Sequence, residues 1–353
     1  MLDHLSQIFN DSDSRVRGKL FGIYGVLIAI NLFAWLWALI AFHQYPLLLG
    51  TAMLAYAFGL RHAVDADHIA AIDNVTRKLM QEKKRPVAVG FFFSLGHSTV
   101  VVLASVAVAL ATSAIQGRFD NFKEIGGLIG TLVSSFFLFA LALMNFLILR
   151  GIYRAWKHVR SGGAYVDDDF DMLLANRGFI ARLFRPLFRL VTRSWHMYPI
   201  GFLFGLGFDT ATEISLLGIA ATQAAKGLSA WSIMVFPVLF SAGMSLVDTL
   251  DGHLMLGAYG WAYQKPLRKI YYNMNITLVS IVVAVVIGGI EALGLLADKL
   301  ELKGRVWDAI GSLNDNFGTL GYIVIGIFVL SWIASLVIYR VKRLDDVQAR
   351  PQS

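Results

Sequence analysis

Apolar residues in this chain gather into long unbroken runs. With soft edges these are 20–42, 46–73, 86–115, 125–149, 199–222, 228–256, 274–297 and 319–339. Most reach the roughly 20 residues that cross a hydrocarbon core as a helix, where a helix satisfies its own backbone. The pattern predicts an all-α integral membrane protein of about eight transmembrane helices, forming one transmembrane domain over residues 1–353. The second run is unusual, because its apolar part covers only the 15 residues from Pro46 to Leu60 before polar residues begin. The first run, from Leu20, is longer than a signal-peptide core and lacks a small-residue cleavage site, so it is expected to stay as a helix.

Composition agrees with lipid as the main solvent. Hydrophobic residues make up 57% of the 353 residues and charged ones 16%, against about 25% charged in soluble domains. The net charge of +7 would suggest nucleic acid in a soluble protein. Here the basic residues sit in short blocks between apolar runs, which excludes that reading and sets orientation instead. The N-terminal tail, the loops 74–85, 150–198 and 257–273 and the C-terminal tail hold 24 Lys and Arg, and the opposite loops hold six. Arg61 is the one basic residue left inside a run. Both termini are therefore expected in the cytoplasm, with 150–198 a cytoplasmic loop whose acidic run, Asp167 to Asp171, reads as solvated. The absence of cysteine removes disulfides and thiolate ligands, so any bound metal is held by nitrogen and oxygen.

Short motifs repeat. Phe58-Gly59-Leu60 returns as Phe204-Gly205-Leu206, 146 residues later, and Phe93-Ser94-Leu95-Gly96-His97-Ser98 returns as Phe240-Ser241-Ala242-Gly243-Met244-Ser245, 147 residues later. The paired segments lie three predicted helices apart and so run in opposite directions. That predicts an inverted repeat, with a substrate site near the midplane on interrupted helices.

The chemistry concentrates in Arg61-His62-Ala63-Val64-Asp65-Ala66-Asp67-His68-Ile69. Ionisable groups in a membrane cost several kcal/mol each and face a polar interior; imidazole with carboxylate suits Ni, Co, Zn or Fe ions. On a regular helix His62, Asp65 and His68 fall at about 0°, 300° and 240°, inside one arc, while Asp67 falls at about 140°. Either the helix unwinds here, or Asp67 stands behind a histidine as its hydrogen-bond partner. His97, flanked by Ser94 and Ser98, is a further candidate ligand, its two serines lining the same path. In the second half Asp209, Glu213, Asp248 and Asp251 are candidates for completing the site, lining the ion path or carrying protons. Of these, Asp209 and Glu213 are the pair expected to face the histidines.

The run from Arg61 to Ile69 resembles the second-helix signature of the nickel/cobalt transporter family, with an HX4DH core seen here as His62, Asp67 and His68. Phe93 to Val101, Leu206 to Glu213 and Gly243 to Asp251 resemble that family's other signature blocks, and the likeness covers about residues 20 to 340. It implies eight helices, uptake of Ni2+ or Co2+ as substrate, no prosthetic group and no ATPase subunit, in a bacterial-type cytoplasmic membrane. Val64 fits the family pattern without choosing nickel over cobalt. Two other classes compete: a membrane-embedded metalloenzyme and a proton-coupled metal exporter. The chain has no H-E-x-x-H and no G-x-x-x-x-G-K-[ST], which argues against a zinc protease and an ATP-driven pump. A dication gains about 4.6 kcal/mol across 100 mV, enough for roughly a thousandfold accumulation without ATP.

Overall fold

Every predicted run becomes helix, and several are longer or more broken than the runs. The computed structural model describes residues 11, 16–82, 84–110, 116–160, 190–206, 211–262 and 266–341. The elements are α1 (Val16–Phe42), α2 (Pro46–His62), α3 (Ala66–Gln81), α4 (Val89–Leu110), α5 (Gln116–Arg160), α6 (Met197–Phe204), α7 (Ala211–Ala225), the single turn α8 (Ala230–Ile233), α9 (Val235–Ala262), α10 (Pro266–Lys299), α11 (Arg305–Asn314) and α12 (Phe317–Val341). No strand occurs among the described residues. Five stretches are each long and apolar enough to cross a membrane, and two bent helix pairs raise the number to seven. The expected run 199–222 falls on α6 and α7, with 207–210 outside the described residues.

The second run divides as its short apolar part suggested. α2 ends at His62, Asp65 is extended (φ −63°, ψ 145°) and α3 starts at Ala66, so the two axes differ by 51°. Asp65 stands at the N-cap and Asp67 in the first turn of α3, where the partial positive charge of a helix start favours carboxylates.

α3 then corrects two expectations. It continues to Gln81, so most of the segment 74–85 is helix rather than a solvated cytoplasmic loop, and Arg77 and Lys78 are buried in it. Fourteen of its 16 residues are buried, because α4, α5, α9, α10 and α12 all pack on it. The basic side chains find internal partners. The Arg77 guanidinium donates to Thr277 Oγ1 and Asn74 Oδ1, each at 2.9 Å, and Lys78 Nζ donates to the Val191 carbonyl. Arg61 lies near the end of α2, exposed beside the helix break.

Two further differences concern the ends of spans. Residues 150–160 extend α5, and Ser194–His196 forms a 3-10 turn leading into α6, so both ends of the expected 150–198 loop are ordered structure. The acidic run Asp167 to Asp171 lies outside the described residues. Before the last span α11 forms where no helix was predicted; Val306, Ile310 and Leu313 recur at helical spacing, and no α11 residue is buried.

Close helix crossings occur at the repeated motifs. A β-carbon on Gly59 would overlap the Phe240 carbonyl, and one on Gly243 would lie 2.9 Å from the Tyr56 oxygen. This seats α2 against α9. On the other side a β-carbon on Gly96 would overlap the Tyr198 carbonyl, and one on Gly201 the Phe93 carbonyl, seating α4 against α6. Small residues permit such backbone approach inside membranes.

Candidate metal site

The break after α2 turns the His62 side chain toward the start of α3. The ring of His68 lies in that first turn, and α4 brings His97 from its middle. The three ring centroids form a nearly equilateral triangle with sides of 4.7, 4.8 and 5.0 Å. One nitrogen from each ring lies within 4.8 Å of the others. All three histidines are buried, at 0–2% exposure, between aromatic walls. Phe240 lies 5.5 Å from the His62 ring and Phe93 lies 4.8 Å from the His68 ring.

Carboxylates hold the rings from outside. His62 Nδ1 lies 2.9 Å from Asp65 Oδ2, and His68 Nδ1 lies 3.2 Å from Asp248 Oδ1. A carboxylate accepts the Nδ1 proton in each pair, which leaves Nε2 with a free lone pair facing the centre. His68 Nε2 has no hydrogen-bond partner. His62 Nε2 lies 3.0 Å from His97 Nε2, and Glu213 Oε1 lies 2.8 Å from His97 Nε2 and 3.8 Å from His62 Nε2. Three imidazoles thus converge, with the Glu213 carboxylate at the edge beside His97 and His62 and the carboxylates of Asp65 and Asp248 behind the rings. The negative charge of Asp65, Glu213 and Asp248 opposes the cost of burying a dication among neutral rings.

The remaining predicted residues are placed as follows. Asp67 is half-buried in the first turn of α3. Ser94 Oγ donates to the Phe91 carbonyl of its own helix at 3.0 Å, while the Ser98 hydroxyl is buried without a partner. Asp251 lies one turn past Asp248 on α9. Asp209 falls outside the described residues. Asp248 therefore joins Glu213 as a second-half carboxylate reaching the histidines. Asp73, the last residue of the expected run 46–73 and not among the predicted site residues, is buried on α3 and accepts from Ser280 Oγ at 2.8 Å.

Comparison with known proteins places these residues in a family. Residues 48–338 match the family described as High-affinity nickel-transport protein. The chain is 60% identical over 350 residues to a High-affinity nickel transport protein of Cupriavidus necator, covering 99% of this chain and 100% of that protein. It is 46% identical over 296 residues to the High-affinity nickel-transport protein NixA of Helicobacter pylori, covering 82% and 88% of the two chains. It is also 42% identical over 298 residues to the Cobalt transport protein NhlF of Rhodococcus rhodochrous, covering 84% of each. No solved structure matches the chain. With the matched region spanning the histidine cluster and every helix that builds it, the chain belongs to the high-affinity nickel-transport protein family.

Proposed function

We propose that this protein is a transporter, not an enzyme: a secondary permease that takes up Ni2+, and Co2+ as a close chemical neighbour, across a bacterial-type cytoplasmic membrane. The observation that carries the reading is the buried triangle of His62, His68 and His97 with Glu213 at its edge. In this reading those four side chains ligate the ion, Asp65 and Asp248 fix the rings of His62 and His68, Asp67 adds charge at the helix start, and Asp209, Asp251, Ser94 and Ser98 line the path. The whole chain acts as one transport domain with eight spans and both termini in the cytoplasm.

An inverted repeat fits this arrangement. Phe93 and Phe240, equivalent in the proposed repeat, each flank one histidine of the site, His68 and His62 respectively. The crossing of Gly243 on Tyr56 has its counterpart in that of Gly96 on Phe202, whose backbone nitrogen a β-carbon on Gly96 would meet at 2.7 Å. Exchanged contacts of this kind are what two oppositely oriented halves would produce, and they support reading the site as lying between the halves.

The energy for uptake comes from the membrane potential, which drives a dication inward by about 4.6 kcal/mol per 100 mV. The test is radiolabelled Ni2+ uptake by proteoliposomes holding the purified protein under an imposed potential. Uptake is expected to be negative-inside dependent, competed by Co2+ and independent of added ATP. Equal uptake with and without the potential would overturn the energetic part of the reading.

A further inference from the structure

α3 carries five ionisable side chains, Asp67, His68, Asp73, Arg77 and Lys78, in a helix with 14 of 16 residues buried. His68 and its partner Asp248 belong to the histidine site. The next turns of the same helix pair hold a second group of polar atoms. Asp73 and Thr76 stand three residues apart on α3, and Asp248 and Asp251 three apart on α9, so each pair shares a face. The Asp251 carboxylate is within electrostatic reach of both Asp73 and Asp248, and its Oδ2 has no hydrogen-bond partner. From α10, Ser280 Oγ meets Asp73 Oδ2 at 2.8 Å.

The Thr76 side chain points to a ligand on independent grounds. The residue is fully buried, and its hydroxyl has no partner among the described residues. It faces α9 beside Asp251, 4.0 Å from where a β-carbon on Gly252 would stand. A buried hydroxyl without a partner is destabilising, a cost that a bound cation removes.

We propose that Asp73 and Asp251, with the hydroxyls of Thr76 and Ser280, form a second cation station that receives the ion from the histidines. The proposal rests on the function inferred above. Its chemistry differs from that of the first site, since every donor is oxygen. For late divalent transition metals such a set binds more weakly than imidazole and discriminates less against hard ions. Arg77, one turn further along α3 and fixed by Thr277 and Asn74, adds a positive charge beyond the station and weakens it again. A carried ion must bind well enough to enter and loosely enough to leave. A nitrogen-rich capture site followed by an oxygen-only station meets both demands.

The experiment uses Mn2+, a hard ion with its own paramagnetic signal, and the full chain in lipid nanodiscs. The variant H62A/H68A/H97A is titrated with Mn2+ and followed by electron paramagnetic resonance. It is expected to bind one Mn2+ per chain, with affinity falling at least about tenfold when Asp73→Asn or Asp251→Asn is added. Equal Mn2+ binding with and without both Asp changes overturns the proposal, and so does absence of binding in the triple-His variant. Should that variant not fold, wild-type protein loaded with one equivalent of Ni2+ is titrated instead and must still take a Mn2+ ion that Asp251→Asn removes. A chain that binds Ni2+ through its histidines but takes no Mn2+ keeps the proposed function and loses only this station.

Discussion

His62 is oriented by a proton that it donates. Its Nδ1 lies 2.9 Å from Asp65 and His68 Nδ1 lies 3.2 Å from Asp248, so each carboxylate sets both the tautomer and the direction of the lone pair. In Asp65→Asn or Asp248→Asn the amide oxygen can still accept that proton while the charge is lost. Either change should weaken Ni2+ binding about 10- to 100-fold, measured as a raised half-saturation concentration in uptake, with the purified protein remaining monodisperse. His62→Ala and His68→Ala remove donors outright and should abolish uptake at submicromolar Ni2+ while the protein still inserts. Normal uptake by both would exclude these residues as ligands. At this scale much was legible in the sequence. His62, Asp65, Asp67 and His68 stand out because ionisable groups in an apolar run are costly without a role. A single helical arc does not bring them together: the chain leaves the helix at residues 63–65, the unwinding that was one of the two expectations, and the two imidazoles meet across that break. Glu213 and Asp248 were visible as carboxylates, but their pairing with His97 and His68 spans 116 and 180 residues, which local spacing does not encode.

Among the elements, the break between α2 and α3 is held from outside by α12. A β-carbon on Gly321 would overlap the Val64 carbonyl in the middle of the break. Gly321→Ala should therefore push α12 away or straighten the break, costing about 1–3 kcal/mol and reducing uptake. Gly326→Ala on the same helix, with nothing within 4 Å of the added carbon, should be neutral in both thermal unfolding in detergent and transport. Equal effects of the two substitutions would show that the contact at Val64 does not matter. α3 itself was misread beyond residue 73 because the five basic residues of 74–85 look like a cytoplasmic loop. Ile69, Ile72, Val75 and Leu79, all buried, nonetheless recur at a helical period. The charge count outweighed that signal, and only the surrounding helices reveal that Arg77 and Lys78 have internal partners.

For the molecule as a whole, orientation is open to direct measurement because the chain has no cysteine. Single cysteines at Lys226 and Lys303, both exposed, should react with a membrane-impermeant maleimide from the external side. One at exposed Arg85 should react only after permeabilisation, and the opposite pattern would invert the topology. The burial of α3 has a consequence for how the protein is made. A helix with five ionisable side chains in 16 residues gains nothing from entering lipid alone, and all five helices that shelter it, α4, α5, α9, α10 and α12, are synthesised after it. During synthesis α3 must wait at the bilayer surface or within the insertion machinery until those partners arrive. Chains truncated before α12 should leave α3 open to protease and to labelling, and the histidine centre should be among the last parts of the molecule to form.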